Sequence, residues 1–371
     1  RFARQRPERR DPERVGRAAK ECAMTAPIGV VFNPNSKKNL RDPARFDRLQ
    51  QLLGDDGVVW RTRHVDDIAA VVHDMLDNEV PYWVADGGDG AFHWLVNVAD
   101  QVVRERGKGE SIPAIMPTNS GTIDFMGRKA GVVGDAESLL TELVRLTRRG
   151  EAPERVPIDS LRLRGVHGDW SERPGAPFER VGFATALAGI GQGFFDKFYA
   201  NGRLNGVGVL ETVGRILASA STRARPVAFL PLPTSLRCYA DSVFEQAHLH
   251  IEIDGKPVPL KHFRVVNAGS IDINLADLFR LFPMAAAPGV IHVQVGDPDL
   301  LDVVRQLPRL MAGKAMNFEG LIECPATEMS LAVRGQGSID PVIDGELFYG
   351  LKALSVTPGP AIEVLRVVGQ R

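Results

Sequence analysis

The residues best suited to chemistry lie in one short stretch, Gly87-Gly88-Asp89-Gly90. An apolar run, 82–85, precedes this stretch, and a run with helical spacing, 91–105, follows it. Glycines let a backbone approach an anion closely, and the N–H groups and dipole of a helix N-terminus favour negative charge. A carboxylate in such a cradle suits proton transfer or metal binding. The stretch therefore predicts a phosphate site with Asp89 in a catalytic or metal-binding role, although an ordinary tight turn fits the same residues.

Alternating strands and helices are predicted to position this stretch. Strands that alternate with helices indicate βαβ units and a parallel sheet, in which ligands bind beyond the carboxyl ends of the strands. Polar turns near Asn33, Thr62, Gly87 and Ser120 each follow a predicted strand, so we expect them to converge on one crevice. The predicted strands are 28–32, 58–62, 82–85 and 112–116, and the predicted helices are 43–53 after an Asp42 cap, 66–76, 91–105 and 135–148.

The sequence pattern changes after about residue 155. Alternation of polar and apolar residues over 156–163, 249–253 and 290–295 predicts short strands, and Gly and Pro turns separate them. These features predict a mostly antiparallel β domain. A partly helical stretch, 201–220, interrupts it, and 300–311 predicts a further helix. The predicted domains are an α/β domain (28–155), a β-sandwich (156–340) and a C-terminal segment (341–371) that could return to the first domain.

Length and composition fit a soluble protein of two domains. The chain has 371 residues, of which 44% are hydrophobic and 25% are charged. Its net charge of −1 lacks the basic bias of nucleic-acid binders, so no nucleic-acid partner is predicted. Its three cysteines form neither a zinc-ligand spacing nor a disulfide framework, and no apolar run is long enough to cross a bilayer. We therefore predict a reducing compartment, the cytoplasm.

Residues 1–27 are predicted to form a tail outside the folded domains. Residues 1–23 are dense in Arg and Glu and show no apolar period. The first methionine is Met24, which lies just before an apolar strand. Our hypothesis is that the natural chain starts at Met24 and that the earlier residues are upstream translated sequence, and a disordered charged tail is the alternative. N-terminal sequencing of the native protein would distinguish the two.

Four motifs, in this order, resemble the diacylglycerol kinase catalytic-domain family, which includes bacterial lipid kinases and sphingosine kinases. They are Asn33-Pro34-x-Ser36, Gly87-Gly88-Asp89-Gly90, Ser120-Gly121-Thr122-x-Asp124 and Asp344-Gly345-Glu346. The resemblance runs from about residue 28 to the C-terminus. It implies a Rossmann-like α/β nucleotide domain with a parallel sheet, followed by a mostly antiparallel β-sandwich, with the active site in the cleft between them.

The resemblance also implies an activity, the transfer of the ATP γ-phosphate to a lipid hydroxyl with Mg²⁺. Positioning and charge neutralisation supply most of the catalysis in such a reaction. Asp89 and Glu346 would deprotonate the acceptor hydroxyl or organise the metal, with Asp89 as the metal residue. Asp196 would contact the substrate, with a helix cap as its alternative role. The implied nucleotide-binding residues are Asn33, Ser36, Thr62, Gly87, Gly88, Asp89, Gly90, Gly121 and Thr122.

A lipid substrate brings a membrane into the predicted partners. Residues 194–236 mix aromatic and aliphatic side chains with arginines, a composition that fits transient contact with an anionic membrane surface. Core packing with a loop explains this segment nearly as well. The edges of a β-sandwich could also pair two copies of the chain, so a homodimer stays open.

Several residues depart from the family pattern. Ala91, His93 and Trp94 stand where the family has Thr, Asn and Glu, and the lost hydroxyl removes a hydrogen bond worth roughly 1 kcal/mol. Asp124 replaces an Asn and adds negative charge near the nucleotide, whereas His93 could touch a phosphate or lie on the helix surface. Two alternatives to the lipid kinase therefore stay open. One is an enzyme like NAD kinase, which shares the Gly-Gly-Asp-Gly motif, and the other is a catalytically lapsed protein that binds lipid or nucleotide.

Overall fold

The structure is a computed structural model. It describes residues 26–107, 109, 111–121, 124–203, 206–222, 234, 238–275, 279–285, 287–312, 314 and 316–369. Two units divide these residues between them. The first comprises residues 26–158 and 362–369, and the second comprises residues 159–361. Thr122 and the predicted tail up to residue 25 lie outside the described residues.

The first unit is built on a six-stranded sheet. Its strands are β1 (Ile28–Phe32), β2 (Gly57–Arg61), β3 (Tyr82–Asp86), β4 (Ile115–Pro117), β5 (Glu154–Ile158) and β20 (Ile362–Arg366). Their spatial order is β2-β1-β3-β4-β20-β5, and all neighbours are parallel except β20 and β5. Every residue of β1 is buried, as expected of a central strand in a sheet with both faces covered. The predicted parallel sheet is therefore confirmed.

Helices connect the strands of this sheet. They are α1 (Lys37–Arg41), α2 (Arg45–Leu53), α3 (Val65–Asp77), α4 (Asp89–Arg106), α5 (Phe125–Ala130) and α6 (Ala136–Arg148). α3 and α6 match the predicted helices within one residue at each end. The predicted Asp42 cap is wrong, because α2 begins after Ala44 and the Asp42 carboxylate instead pairs with Arg48. α1 lies where the sequence predicts only a polar turn.

The second unit packs two six-stranded antiparallel sheets around one core, a β-sandwich as predicted. The first sheet has the order β10-β9-β16-β19-β6-β7, with β6 (Leu161–His167), β7 (Pro177–Gly182), β9 (Leu249–Ile253), β10 (Lys256–Pro257), β16 (Met329–Val333) and β19 (Leu351–Pro358). The second has the order β15-β14-β11-β8-β17-β18, with β8 (Ala184–Gly189), β11 (Val265–Gly269), β14 (Ile291–Gly296), β15 (Ile322–Ala326), β17 (Val342–Ile343) and β18 (Glu346–Leu347). A separate two-stranded ribbon pairs β12 (Ile273–Leu275) with β13 (Phe279–Leu281).

Three helices accompany the sandwich among the described residues: α7 (Ile190–Ala200), α8 (Gly206–Ser221) and α9 (Leu300–Met311). The predicted helix 300–311 is confirmed, and α8 occupies the stretch predicted as partly helical. Within the described part of the chain, no helix is both long and apolar enough to cross a membrane.

The structure places two segments differently from the sequence prediction. The stretch 156–163, which the sequence predicts as one strand, is divided between two strands. β5 pairs with β20 in the first sheet, whereas β6 is the first strand of the sandwich. The C-terminal segment 341–371 is also divided. Residues 341–361 belong to the second unit, and only the residues from Ile362 onward join the first sheet. An alternating pattern marks a half-buried strand but does not show which sheet contains it.

Candidate active site

The glycine stretch forms the connection between β3 and α4, as predicted. Gly87 and Gly88 follow the last residue of β3, and Asp89 and Gly90 form the first turn of α4. Gly88 is the N-cap residue and has no side chain with which to cap the helix. The first backbone N–H groups of an α-helix lack intrahelical partners and carry a partial positive charge. This connection therefore has the backbone arrangement that a phosphate site would need.

A second glycine approaches the first stretch from the loop after β4. A Cβ placed on Gly121 would lie 2.5 Å from the Cα of Gly88, and a Cβ placed on Gly88 would lie 2.7 Å from the Cα of Gly121. Ser120 N–H also donates a hydrogen bond of 3.1 Å to the Gly87 carbonyl. Both positions need glycine because backbone atoms occupy the space of a side chain. The structure thus joins two motifs that the sequence predicts to share one crevice.

Asp89 lies half-buried in the first turn of α4. Its Oδ1 accepts a hydrogen bond of 3.4 Å from the backbone N–H of Met126, near the start of α5. The carboxylate is thus held between the ends of two helices. Mg²⁺ in phosphoryl-transfer sites is bound by one or two carboxylates together with substrate phosphates. Asp89 fits such a role, and the described residues contain no group of three His, Cys, Asp or Glu that could hold a metal by themselves.

The loop after β1 reaches the same end of the sheet. The Asn33 N–H donates to the Asp86 carbonyl at 3.0 Å, and Asn33 Oδ1 accepts from Asn35 N–H at 2.9 Å. Lys38 Nζ donates to the Asn119 carbonyl at 2.7 Å, which ties this loop to the loop after β4. The Ser36 hydroxyl is buried and has no hydrogen-bond partner among the described residues. Its hydrogen-bonding capacity is therefore not used by the described residues.

Thr62 follows β2 and is buried. Its hydroxyl donates to the Phe32 carbonyl at 3.2 Å, and its N–H donates to the same oxygen at 2.9 Å. The hydroxyl thus ties the ends of β1 and β2 together, and its contact with a nucleotide stays a prediction. Arg61, just before it, is exposed and stacks its guanidinium 4.2 Å above the ring centre of Phe46.

Asp124 is the acidic residue of the third motif, Ser120-Gly121-Thr122-x-Asp124. It precedes α5 with a left-handed backbone, φ 51°, and its Oδ1 accepts the Gly121 N–H at 2.7 Å. Burial raises the pKa of Asp124, and the Gly121 hydrogen bond and the charges of Lys38 and Arg128 oppose that rise. The replacement of Asn by Asp therefore leaves a poorly solvated carboxylate beside the proposed phosphate site.

Two residues that the sequence analysis missed lie beneath these loops. Asp86, the last residue of β3, is fully buried, and Arg45 at the start of α2 is 9% exposed. Arg45 Nη2 contacts Asp86 Oδ1 at 3.0 Å and Ser120 Oγ at 2.6 Å. Two features of the sequence could have indicated these residues. Asp86 ends an apolar strand, and Arg45 lies four residues before the buried Leu49, on the apolar face of a helix.

In the second unit, Asp344 and Gly345 form the two-residue turn between β17 and β18. Both have positive φ, 51° and 88°, as the turn of a tight hairpin requires. Asp344 Oδ1 accepts the backbone N–H groups of Phe183 at 2.9 Å and Ala184 at 3.0 Å. Asp344 therefore has a structural role. It fixes the hairpin in which the half-buried Glu346 is the first residue after the turn.

α7 brings Asp196 and Tyr199 to this hairpin. The Tyr199 hydroxyl donates to the Gly345 carbonyl. Burial raises the pKa of Asp196, and the charge of Asp340 raises it further. Asp196 lies within α7 rather than before it, so the helix-cap alternative is wrong. The helix that carries the predicted residue Asp196 is thus hydrogen-bonded, through Tyr199, to the turn that precedes the predicted residue Glu346.

Part of the first unit matches a known protein family in sequence. The model of the family described as diacylglycerol kinase catalytic domain matches residues 27–151. We call residues 27–151 the diacylglycerol kinase-like domain because they are similar to that family. This match confirms the predicted resemblance and supports a kinase. No curated protein matches the sequence.

Solved structures support the same fold over most of the chain. A diacylglycerol kinase from Bacillus anthracis str. Sterne is 10% identical, with a TM-score of 0.53, and the match covers 91% of this chain and 96% of the other. Two further structures from that strain give 12% and 11% identity and TM-scores of 0.55 and 0.57, with the same coverage. At this identity the likeness concerns the fold, and it extends beyond the diacylglycerol kinase-like domain into the sandwich.

Three departures from the family pattern, Ala91, His93 and Trp94, lie on α4 of the diacylglycerol kinase-like domain. The Cβ of Ala91 lies under Gly87, where a Cβ on Gly87 would come within 2.4 Å of it. His93 is 1% exposed, and its Nε2 lies 3.3 Å from Asn97 Nδ2. The helix-surface interpretation of His93 is therefore wrong. Ala91 and His93 both pack against protein neighbours.

Proposed function

We propose that this chain is an ATP-dependent lipid kinase, which transfers the γ-phosphate of ATP to a hydroxyl of a diacylglycerol-like or sphingoid-like lipid. The observation that carries the proposal is the contact between Gly88 and Gly121, which brings two glycine loops together at the carboxyl ends of β3 and β4. Asp89 lies at the N-terminus of α4 beside them. Such an arrangement within a diacylglycerol kinase-like domain favours phosphoryl transfer over other uses of an anion site.

The residues present fit ATP and Mg²⁺. The cradle between Gly88 and Gly121 excludes side chains, and Gly88 begins a helix whose first N–H groups favour a bound phosphate. The buried Ser36 hydroxyl has an unused hydrogen-bonding capacity at the same end of the sheet. Asp89 would hold the metal, and Lys38 would add positive charge next to the loop after β4. ATP with Mg²⁺ would supply the phosphoryl group in a charge-neutralised form.

Glu346 would act on the acceptor as a general base. It is half-buried at the start of β18, and the hydrogen bonds to Asp344 fix the turn before it. Asp196, with its raised pKa, would accept a hydrogen bond from a polar headgroup. A positioned carboxylate that takes a proton from a hydroxyl contributes typically 10²–10⁴-fold to a rate.

A lipid acceptor is supported by the outer face of α8. Val207 and Leu210 lie nearly one turn apart on this helix and are 61% and 56% exposed. Glu211 directly follows Leu210 and pairs with Arg203 and Arg215. Exposed apolar residues with basic neighbours on one helix are typical of a surface that rests on a membrane. We propose a cytoplasmic protein that contacts the membrane peripherally, because its substrate is a lipid.

The test is the transfer of labelled γ-phosphate from ATP with Mg²⁺ into a total lipid extract in detergent micelles, with NAD as a parallel soluble acceptor. Asp89→Asn and Glu346→Gln are each expected to abolish lipid labelling without unfolding the protein. Glu346→Gln should retain the ATP affinity of the wild type. Asp47→Asn, at an exposed carboxylate of α2, is the matched control and should label lipid normally.

The outcomes separate the alternatives. A labelled lipid that disappears in both variants supports the lipid kinase, and its mobility identifies the class of acceptor. Labelled NAD without labelled lipid would favour the enzyme like NAD kinase. ATP binding without transfer to either acceptor would favour a lapsed kinase. Near-normal lipid labelling by both Asp89→Asn and Glu346→Gln would refute the assigned catalytic residues.

A further inference from the structure

A buried ion pair lies directly beneath the two glycine loops. The Arg45 and Asp86 side chains are 10% and 0% exposed, and their charged atoms lie 3.0 Å apart. Asp86 is the residue immediately before Gly87, and Arg45 also donates to the hydroxyl of Ser120, the residue immediately before Gly121. One guanidinium thus contacts the residue that precedes Gly87 in one glycine loop and the residue that precedes Gly121 in the other.

Further hydrogen bonds complete this cluster. The Thr118 hydroxyl donates to Asp86 Oδ1 at 2.7 Å, and Asn39 Nδ2 donates to Asp86 Oδ2 at 3.0 Å. The same Asn39 amide donates to the Asn33 carbonyl at 2.8 Å. The Asp86 carboxylate therefore binds residues from the segments that follow β1 and β4. Its ion pair with Arg45 attaches helix α2 to the same cluster.

The chemistry of the loops explains why such a cluster would be needed. Gly87, Gly88 and Gly121 have no side chains, so they cannot be held in place by packing. A buried ion pair is weak evidence for stability, because apolar residues of similar size often replace one without loss. Its hydrogen bonds have fixed directions, however, and they define one spacing between the loops.

We infer that Arg45 is a positioning residue, which acts through Asp86 and Ser120 to hold the two glycine loops at the spacing that binds phosphate. This inference rests on the proposed function. Arg45 touches the residues before the glycines rather than the proposed ligand. Its loss should therefore weaken ATP binding through the loops, and it should do so even when the charge balance of the buried site is restored.

The test compares Arg45→Met, Asp86→Asn and the double variant with the wild type. Arg45→Met leaves Asp86 buried without its cation and is expected to be strongly destabilised. The double variant has no unpaired charge, so its melting temperature should recover most of that loss. Its Kd for ATP, measured by calorimetry, should nevertheless stay about tenfold above the wild-type value, which corresponds to about 1.4 kcal/mol of binding free energy.

Arg48→Met is the matched control. Arg48 lies on the same helix and pairs with Asp42 and Glu137, but its side chain is 45% exposed. Exposed ion pairs contribute little, so its stability and ATP affinity should match the wild type closely. Amide hydrogen exchange of the peptides that contain Gly87-Gly88 and Ser120-Gly121 is the second readout. Exchange in both should be faster in the double variant and unchanged in Arg48→Met.

Each outcome decides between the positioning role and the proposed function. A double variant that binds ATP as tightly as the wild type, or whose two loops exchange at wild-type rates, overturns the positioning role of Arg45. A wild type that binds no ATP, with faster loop exchange in the double variant, supports the role of Arg45 in loop geometry and contradicts the proposed function instead.

Discussion

The Tyr199 hydroxyl donates a hydrogen bond to the Gly345 carbonyl, in the turn that immediately precedes Glu346. Burial raises the pKa of Tyr199 to about 12, and the charge of Glu346 contributes to the rise. The phenol therefore keeps its proton at neutral pH and remains a donor. Tyr199 also lies three residues after Asp196 on α7, so its hydrogen bond attaches the helix of the predicted acceptor contact to the hairpin of the predicted base.

Tyr199→Phe should reduce turnover more than it reduces stability. The variant loses one hydrogen bond, which contributes about 1 kcal/mol to the free energy of unfolding, and the turn before Glu346 loses its link to α7. We expect a lower kcat in the lipid-labelling assay with an unchanged Kd for ATP. Tyr82→Phe, at the start of β3, is the control. A Tyr199→Phe enzyme with wild-type kcat would contradict a positioning effect on Glu346.

Gly121→Ala should disrupt the glycine cradle. The added Cβ would lie 2.5 Å from the backbone of Gly88 and 2.6 Å from Asp124 Oδ1, so the two loops must separate. We expect a lower melting temperature and a large loss of ATP affinity, measured by thermal denaturation and calorimetry.

Gly214→Ala is the control for that substitution. Gly214 lies within α8, and nothing lies within 4 Å of a Cβ built there. Alanine should stabilise this helix by roughly 0.5–1 kcal/mol, because it restricts the unfolded chain more than glycine does. Equal effects of the two substitutions would show that the contact between Gly88 and Gly121 is not needed.

Asp124→Asn should stabilise the protein at neutral pH. Burial raises the pKa of Asp124 above its ordinary value, so the folded state binds this proton more tightly than the unfolded state does. Stability is then lost as pH rises from the unfolded pKa of about 4 through the folded pKa, and the loss persists at higher pH. Asparagine cannot titrate, and its side-chain oxygen can still accept the Gly121 N–H.

Thermal unfolding of both proteins between about pH 4 and pH 8 measures this effect. The difference in melting temperature in favour of Asp124→Asn should grow with pH. ATP affinity should also rise severalfold at neutral pH, because a negative charge beside the phosphate cradle is removed. A difference in melting temperature that is constant over this range would contradict a raised pKa at Asp124.

The local elements could be predicted from the sequence because their signals are local. The apolar run of β1 and the period of α3 determine both elements, and the apolar residues that recur with helical spacing on α3 are buried: Ile68, Val71, Val72 and Met75. The convergence of the two glycine stretches follows from the rule that parallel strands end at one edge. Gly88 and Gly121 confirm it, although 33 positions separate them in the chain.

The contacts that support the site could not be predicted in the same way. Arg45 and Asp86 are far apart in sequence, and neither has a motif around it that indicates a partner. The hairpin at Asp344 is a different case. An Asp-Gly pair between apolar residues is a strong hairpin signal, so the turn before Glu346 was available from the sequence.

The last strand of the first sheet, β20, is also nearly the last element of the chain. It lies between β4 and β5, so without it the sheet has a gap that separates β5 from the other strands. On the ribosome, the first unit therefore cannot complete its fold when its own first 158 residues have emerged. Folding of the first unit can be completed only after about 200 further residues have been synthesised. During that interval the edge of β4 is exposed to incorrect pairing. A chain shortened by ten residues at its C-terminus should consequently aggregate, even though it keeps every residue of the proposed site.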